Sequence, residues 1–284
     1  MADYAKDVVV EPDWLEQHLN DDWIRIVEVD ENPDLYRKAH YREAHIPGAI
    51  VFDWKLDLQD PVKRDFLSAE DFGKLLGSRG ISNEHQIILY GDRNNWFAAY
   101  TYWYLKYYGH ENVKLLNGPR ERWISEGRPI TTAQPRFEPV TFTARTGDDS
   151  IRARREETLR ALSGSHVLVD VRSPQEYSGD MVAMPGYESE RSLRGGRIPG
   201  AKSIPWEQAV TDDGAFKSAD ELRELYAVKG VLGGEPIITY CRLGERSAHT
   251  WFVLHELLGV PDVKNYDGSW AEWGNLVGVP IEKG

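Results

Sequence analysis

Residues 237–273 read IITYCRLGERSAHTWFVLHELLGVPDVKNYDGSWAEW, and this stretch decides the fold because the chain contains a second version of it. The earlier copy, at residues 87–123, reads IILYGDRNNWFAAYTYWYLKYYGHENVKLLNGPRERW and aligns without a gap, with nine identical positions out of 37. A further pair, HIPGAIVFDW at His45–Trp54 and RIPGAKSIPW at Arg197–Trp206, recurs in the same order. Repetition of this kind indicates a duplicated structural unit. The chain is therefore predicted to contain two copies of one domain.

Each copy has the pattern of a strand, a short loop and a helix. The apolar runs QIILY and PIITY are typical of buried strands. The apolar segments Trp96–Tyr108 and Ala248–Leu258 have helical length, and a glycine follows each of them as a helix stop. Because strands that alternate with helices form parallel sheets, we expect an α/β protein with helices on both faces of each sheet.

The domain boundaries follow from the stretch between the copies. Residues 127–150 are rich in Pro, Thr and Gly and lack hydrophobic periodicity, which is typical of a linker. We place the first domain at residues 1–130, the linker at 131–150 and the second domain at 151–284.

Composition argues against several classes of protein. With 46 acidic against 34 basic residues the net charge is -12, which disfavours general nucleic-acid binding. No apolar run could span a bilayer, and the N-terminus lacks a signal-peptide pattern. The single cysteine cannot form an internal disulfide, and no zinc-binding spacing is present. We expect a cytoplasmic protein without a metal and without nucleic-acid or membrane partners.

The only cysteine, Cys241, stands directly after the second predicted central strand, where the first copy has Gly91. A lone cysteine is more often a small buried apolar residue than a nucleophile. Here, however, it lies in a charged loop, and ligands of parallel sheets bind beyond the carboxyl ends of the strands. We therefore interpret Cys241 as the reactive group.

The loop after the cysteine carries Arg242, Gly244, Glu245 and Arg246, and a helix is expected to begin near Arg246 or Ser247. The glycine permits a tight turn, so that backbone amides converge on one point. Loop amides, a helix N-terminus and two arginines should favour a thiolate, although the glutamate offsets part of the positive charge.

Two chemistries use a cysteine in such a loop. Cysteine phosphatases have C-x5-R, usually with His before the Cys, whereas here Tyr240 precedes Cys241 and Arg246 gives C-x4-R. A smaller ring of amides suits an anionic sulfur carried on the cysteine better than a phosphate group. A phosphatase or arsenate reductase is the less favoured alternative.

The motifs VLVDVRSPQEY, GGRIPGAKSIPW, YCRLGERS and NYDGSWAEW of the second half, with HIPGAIVFDW and YGHENVKLLNG of the first, resemble those of the rhodaneses. This is the family of tandem-domain thiosulfate sulfurtransferases, and the wording is closest to its bacterial and archaeal branch. The resemblance implies two rhodanese-like domains, of which the second is catalytic and the first catalytically silent. It also implies that Cys241 takes the outer sulfur of thiosulfate, releases sulfite, and passes the sulfur from its persulfide to cyanide or a thiol. No metal or organic cofactor is needed.

The resemblance also implies roles for the neighbouring residues. Arg246 would bind the sulfonate end of thiosulfate, Arg242 would add positive charge, and Arg172 of DVRSP would face the site from the same sheet edge. The amides of the active-site loop, Leu243, Gly244 and Glu245, would stabilise the persulfide. In the first domain, Trp96 and Phe97 are either a wall of the pocket or ordinary core residues.

The loop departs from the animal rhodanese pattern C-R-K-G-V-T, because Leu243 replaces the Lys and Arg246 replaces the Thr. Mercaptopyruvate sulfurtransferases have C-G-S-G-V-T, so Arg242 favours thiosulfate as the donor. Glu176 stands where animal rhodaneses have a second basic residue. The alternatives are a 3-mercaptopyruvate sulfurtransferase and a module that relays sulfur between proteins.

Overall fold

The computed structural model describes residues 3–31 and 40–284, and two five-stranded parallel sheets organise this part of the chain. The strands of the first sheet are β1 (Val9–Val10), β2 (Ile24–Asp30), β3 (Ile50–Asp53), β4 (Gln86–Gly91) and β5 (Val113–Leu116). Those of the second are β6 (Arg152–Ala153), β7 (Val167–Asp170), β8 (Lys202–Ser203), β9 (Ile237–Tyr240) and β10 (Val263–Tyr266). The strand orders, β1-β5-β4-β2-β3 and β6-β10-β9-β7-β8, are the same, which confirms the predicted duplication and the α/β fold class.

Helices connect the strands in both halves. In the first half they are α1 (Pro12–Gln17), α2 (His40–Glu43), α3 (Trp54–Asp57), α4 (Ala69–Ser78), α5 (Trp96–Tyr107) and α6 (Arg120–Ser125). In the second half they are α7 (Arg155–Ala161), α8 (Pro174–Ser178), α9 (Ala219–Ala227), α10 (Glu245–Trp251) and α11 (Ser269–Trp273), and α10 continues as a π-helix over Phe252–Leu257. Within the described ranges, every helix is too short or too polar to cross a bilayer.

The central strands β4 and β9 place the two corresponding loops at the carboxyl ends of their sheets. All four residues of β9 are buried, as expected for a strand with neighbours on both sides and helices around the sheet. Tyr240, its last residue, lies opposite Asp170 of β7 and Tyr266 of β10. Cys241 therefore leaves the sheet between two other strand ends, which is where an α/β sheet brings loops together.

The chain divides into two compact units whose boundary lies close to the end of the predicted linker. One unit comprises Asp7–Asp148 and Asp212–Phe216. The other comprises Asp149–Thr211 and Lys217–Gly284 together with the N-terminal residues up to Lys6, and it contains Cys241.

The predicted linker is bound along the first unit. The Val140 N–H donates to the Gly77 carbonyl at 2.9 Å, and the Arg145 N–H donates to the Tyr108 carbonyl at 2.9 Å. A Cβ at Gly77 would lie 2.3 Å from the Val140 carbonyl oxygen, so the missing side chain allows the segment to approach α4. The backbone groups of this proline-rich stretch thus have partners in the first unit.

Candidate active site

The loop between β9 and α10 makes a tight turn that depends on Gly244. Gly244 has φ +101°, a conformation that favours glycine, and it caps α10, which begins at Glu245, one residue before the expected start. A Cβ at this position would also lie 2.7 Å from the Cα of Asp267. Both conformation and space therefore require glycine here.

The turn directs a backbone donor at the cysteine sulfur. The Gly244 N–H donates to Sγ of Cys241 at 3.1 Å, and Sγ donates to Oε2 of Glu245 at 3.5 Å. Cys241 has no exposed surface, and Leu243 of the same loop is buried as well. The thiol thus lies in a buried but polar environment, between an amide donor and a carboxylate acceptor.

The segment that begins α11 fixes the backbone of the loop. The Cys241 N–H donates to Oγ of Ser269 at 3.0 Å, and the Trp270 N–H donates to the Cys241 carbonyl at 3.0 Å. The Ala271 N–H donates to the Arg242 carbonyl at 2.9 Å. Ser269 lies in the motif NYDGSWAEW, which resembles the rhodaneses, but the sequence alone assigned it no role. The only sequence signal was the recurrence of a glycine and a tryptophan in this segment of both copies.

Asn265 and Ser247 hold the other end of the turn. Nδ2 of Asn265 donates to the Gly244 carbonyl at 3.0 Å, and Oγ of Ser247 donates to Oδ1 of Asn265 at 2.6 Å. Gly244, Ser247 and Asn265 are all buried. The sequence does not reveal this role of Asn265, because the residue lies in β10 and reaches the loop after β9 only in the folded sheet.

Burial raises the pKa of the Cys241 thiol above its ordinary value, and the adjacent Glu245 carboxylate raises it further. Arg246 and hydrogen bonds from Ser247 act in the opposite direction but have smaller effects. The expectation that the resting loop favours a thiolate is therefore wrong. The sequence shows which charges are near the cysteine, but it does not show that the sulfur is removed from water.

Arg246 is buried in an ion pair with Glu176 of α8. Its Nη1 and Nη2 donate to the two carboxylate oxygens at 2.8 and 2.9 Å, while its Nε lacks a hydrogen-bond partner among the described residues. Burial alone would raise the pKa of Glu176, but the charge and hydrogen bonds of Arg246, with the charge of Arg172, lower it to about 2. Arg246 is near enough to the cysteine to influence its titration, yet two of its donors are already engaged.

Arg242 is held by two carboxylates and an aromatic ring. Its Nη1 lies 2.9 Å from Oε2 of Glu190, and its Nη2 donates to Oε1 of Glu245 at 3.2 Å. Its guanidinium carbon lies 4.0 Å from the centre of the Tyr187 ring, within the range of a cation–π contact. The positive charge predicted for the loop is present, but carboxylates balance it.

Arg172 is engaged at the adjacent strand end. Its Nε donates to Oδ1 of Asp170 at 2.9 Å, and its Nη2 donates to Oδ2 of Asp170 and to the Gly196 carbonyl at 2.5 and 2.7 Å. Its guanidinium carbon lies 4.5 Å from the Trp270 ring centre. These contacts join Arg172 to Trp270 of α11 and to the backbone at Gly196. Contact of Arg172 with a substrate stays a prediction.

Trp96 and Phe97 lie at the start of α5 and are buried. Phe97 packs against Trp54 with ring centres 5.1 Å apart, and Arg93 lies over the Trp96 ring at 5.2 Å. These contacts belong to the first unit. A role of the two side chains as a pocket wall stays a prediction.

The family profile described as Rhodanese-like domain matches the chain twice, at residues 11–126 and 155–276. The chain belongs to the rhodanese family. Two relatives from different lineages match it over almost their whole length. "Sulfur carrier protein TtuD" of Thermus thermophilus is 53% identical over 98% of this chain and 97% of its own. "Putative thiosulfate sulfurtransferase" of Haloferax volcanii is 54% identical over 100% of this chain and 99% of its own.

Solved structures of EanB resemble this rhodanese in fold. The wild-type EanB structure has a TM-score of 0.81 and 26% identity, and the match covers 97% of this chain and 69% of EanB. A persulfide form of an EanB variant, in a tetrahedral intermediate state with ergothioneine, has a TM-score of 0.81 and 26% identity, with 97% of this chain and 70% of the EanB chain covered. The fold thus occurs with a cysteine persulfide in a related protein.

Proposed function

We propose that this rhodanese is a sulfurtransferase that moves the sulfane sulfur of thiosulfate to a nucleophilic acceptor through a persulfide on Cys241. The observation that carries the proposal is the hydrogen bond from the Gly244 N–H to Sγ of Cys241, at 3.1 Å, in a buried loop. A donor aimed at the sulfur stabilises negative charge there, both on the attacking thiolate and on the persulfide that follows.

The arginines of the loop support an anionic donor. Nε of Arg242 and Nε of Arg246 are buried without a hydrogen-bond partner in the part of the chain that the structure describes. Buried polar groups are normally paired, so these donors suit an anion that enters with the substrate. The Haloferax relative named "Putative thiosulfate sulfurtransferase" and the persulfide form of EanB are consistent with this chemistry.

The reaction balances as two displacements on sulfur. The Cys241 thiol gives its proton to the Glu245 carboxylate, which accepts its hydrogen bond, and the thiolate attacks the outer sulfur of thiosulfate. The S–S bond of thiosulfate breaks, sulfite leaves with the electron pair, and the enzyme holds Cys241–S–S⁻. A nucleophile such as cyanide then takes the outer sulfur as thiocyanate and returns the Cys241 thiolate, so ping-pong kinetics should follow.

The direct test is the intact mass of the protein after incubation with thiosulfate. We expect the wild type to gain one sulfur atom, to lose it on addition of cyanide, and to release sulfite in equal amount. Cys241→Ser is the matched control because it removes the only cysteine with a small change in volume. An unmodified wild-type protein, or a sulfur adduct that persists in Cys241→Ser, would contradict the proposal.

A sulfur-relay role is the second candidate, since the Thermus relative is named as a sulfur carrier protein. In that case the persulfide would pass to a protein acceptor much faster than to cyanide. Mercaptopyruvate is the alternative donor. Arg242 favoured thiosulfate through its positive charge, but Glu190 and Glu245 balance that charge. Rates of Cys241 persulfide formation from the two donors, measured side by side, decide between them. The cytoplasmic location expected from the sequence stays a prediction.

A further inference from the structure

The connection between β7 and β8 is longer than the equivalent connection in the first half, and part of it contacts the active-site loop that follows Cys241. The connection from β7 to β8 spans residues 171–201, whereas the connection from β2 to β3 spans residues 31–49. The longer connection contains a short 3-10 helix, Glu188–Glu190, and Tyr187 before it is buried. We call residues 180–194 the insert segment.

The insert segment is anchored at its C-terminal end to the structure that supports Cys241. Oγ of Ser192 donates to the Trp270 carbonyl at 3.0 Å, and the Trp270 N–H in turn donates to the Cys241 carbonyl. Arg194 donates to several carbonyls after α11, including that of Leu276 at 2.6 Å. Glu190 and Tyr187 are therefore held in a defined position relative to the cysteine loop.

From this position, the mostly buried side chain of Glu190 forms an ion pair with Arg242. Oε2 of Glu190 lies 2.9 Å from Nη1 of Arg242, and the two side chains are 16% and 5% exposed. The Tyr187 ring packs on the guanidinium at 4.0 Å. Charges that are mostly shielded from water interact more strongly than surface pairs.

The charges around the loop do not form a strongly cationic site. The carboxylates of Glu176, Glu190 and Glu245 contact the guanidinium groups of Arg242 and Arg246. Arg172 is matched by Asp170, and no other ion pair to these arginines is present among the described residues. With a neutral thiol, three negative charges face two positive ones. A dianion such as thiosulfate must therefore compete with carboxylates for the arginines.

We propose that Glu190 is a specificity-determining residue that limits the affinity of the active loop for dianionic sulfur donors. This inference rests on the proposed function, because it concerns the donor of the same persulfide. Glu245 also touches the sulfur and Glu176 anchors Arg246, but Glu190 reaches Arg242 from outside the loop. Removal of its charge leaves Glu245 as the one carboxylate paired with Arg242 among the described residues, so that a sulfonate group competes with one negative charge instead of two.

The first measurement is single-turnover persulfide formation as a function of thiosulfate concentration. We expect Glu190→Gln to lower the half-saturating concentration by about three- to tenfold, because one opposing charge is lost at a partly buried pair. The maximal rate should change by less than about twofold, since the charge acts on binding. Glu190→Asp keeps the charge and should stay close to the wild type.

Glu188→Gln is the matched control. It removes one negative charge from the same short helix, but Glu188 is exposed and its carboxylate accepts backbone N–H groups of its own helix end, including that of Gly186 at 3.0 Å. An equal effect of Glu188→Gln and Glu190→Gln would overturn the proposal, because net charge alone would then explain the change. An unchanged or higher half-saturating concentration in Glu190→Gln would also overturn it.

A second measurement separates this inference from the proposed function. Alkylation of the single cysteine by iodoacetate, an anion, and by neutral iodoacetamide compares the charge at the sulfur without any sulfur transfer. We expect Glu190→Gln to raise the ratio of the iodoacetate rate to the iodoacetamide rate, and Glu188→Gln to leave it unchanged. A general loosening of the loop would accelerate both reagents equally. If no donor loads Cys241, the proposed function fails, and this ratio still decides the role of Glu190.

Discussion

The two halves share a buried tyrosine–carboxylate pair at the same place in the sheet. In the first half Tyr90 donates to Glu28, and in the second half Tyr240 lies opposite Asp170 in the strand pairing. Both tyrosine hydroxyls accept a backbone N–H at 3.1 Å, from Ile46 and from Ile198. The strand ends that carry the two loops are therefore alike in this pair, and the halves differ in the residues around it.

The arginine that faces the carboxylate comes from a different element in each half. Arg172 follows β7 and pairs with Asp170, whereas Arg120 of α6 lies 3.4 Å from Glu28. Arg120 occupies the repeat position of Trp270, the ring on which Arg172 packs. Both halves thus pair the carboxylate with an arginine, which comes from the loop after β7 in the second half and from helix α6 in the first.

The loops themselves differ in where their polar groups point. In the first half the Gly91 N–H donates to Oδ1 of Asn95 at 2.9 Å, and Nδ2 of Asn95 donates to the carbonyls of Leu116 and Gly118. This loop is closed by its own side chain. In the second half Asn265 and Ser269, from outside the loop, hold the backbone, which leaves the Gly244 N–H directed at Sγ of Cys241. The two sheets are therefore alike, but the loop of the first half is held by hydrogen bonds of its own Asn95, whereas the loop of the second half directs a backbone donor at a sulfur atom.

Replacement of a buried arginine that pairs with a carboxylate should have the largest effect on stability, and this effect should be larger in the second half than in the first. Arg246→Met leaves Glu176 buried without its partner, which typically costs about 3–5 kcal/mol of the free energy of unfolding. Arg120→Met should cost less, about 1–3 kcal/mol, because burial already raises the pKa of Glu28 to about 7 and the carboxyl can take up a proton. Hydrogen exchange of β9 and β4 amides measures the two losses separately.

The double variant Arg246→Met with Glu176→Gln is the control for this comparison. It removes the stranded carboxylate and should recover part of the lost stability. Equal losses for Arg246→Met and Arg120→Met would contradict the assigned difference between the two ion pairs.

Transfer of the thiol to the first half should fail. A Cβ at Gly91 would lie 2.5 Å from the Val29 carbonyl oxygen, so Gly91→Cys forces the backbone apart. We expect a loss of about 1–3 kcal/mol from this overpacking and no sulfur uptake when Cys241 is replaced by Ser. Intact mass after thiosulfate treatment and urea denaturation measure the two effects. A persulfide at position 91 would show that the loop of the first half is competent after all.

The smallest expected effect is a difference in pH dependence. Burial, followed by the nearby carboxylates of Glu28 and Asp92, raises the pKa of Asp30 to about 9. The folded first half therefore binds protons more tightly than the unfolded chain, whose carboxyls titrate near about 4. Its stability should fall as the pH rises from that range through about 9. The lowered pKa of Glu176 has the opposite sign, so its contribution is lost as the pH falls through about 2.

Asp30→Asn should flatten the alkaline loss in the first half, and exposed Glu84→Gln is the matched control. Hydrogen exchange of β4 amides at pH values between neutral and about 9 measures the slope. An unchanged slope in Asp30→Asn would contradict the titration of this carboxyl.

The sequence predicted what depends on order along the chain. The repeat, the fold class, the strand that ends before Cys241 and the glycine that corresponds to it all follow from local patterns. The partners of the loop could not be predicted in this way. Glu176 and Glu190 come from the connection between β7 and β8. Ser269, whose hydroxyl accepts the Cys241 N–H, has a positive φ of 50° that its residue type does not predict. The direction of the thiol pKa depends on burial, which only the folded chain establishes.

The most direct test of the account is a crystal structure of the protein after treatment with thiosulfate. We expect electron density for one additional sulfur bonded to Sγ of Cys241 and within hydrogen-bonding distance of the loop amides. A cysteine that stays unmodified after exposure to the donor, with the added sulfur bound elsewhere or absent, would contradict it.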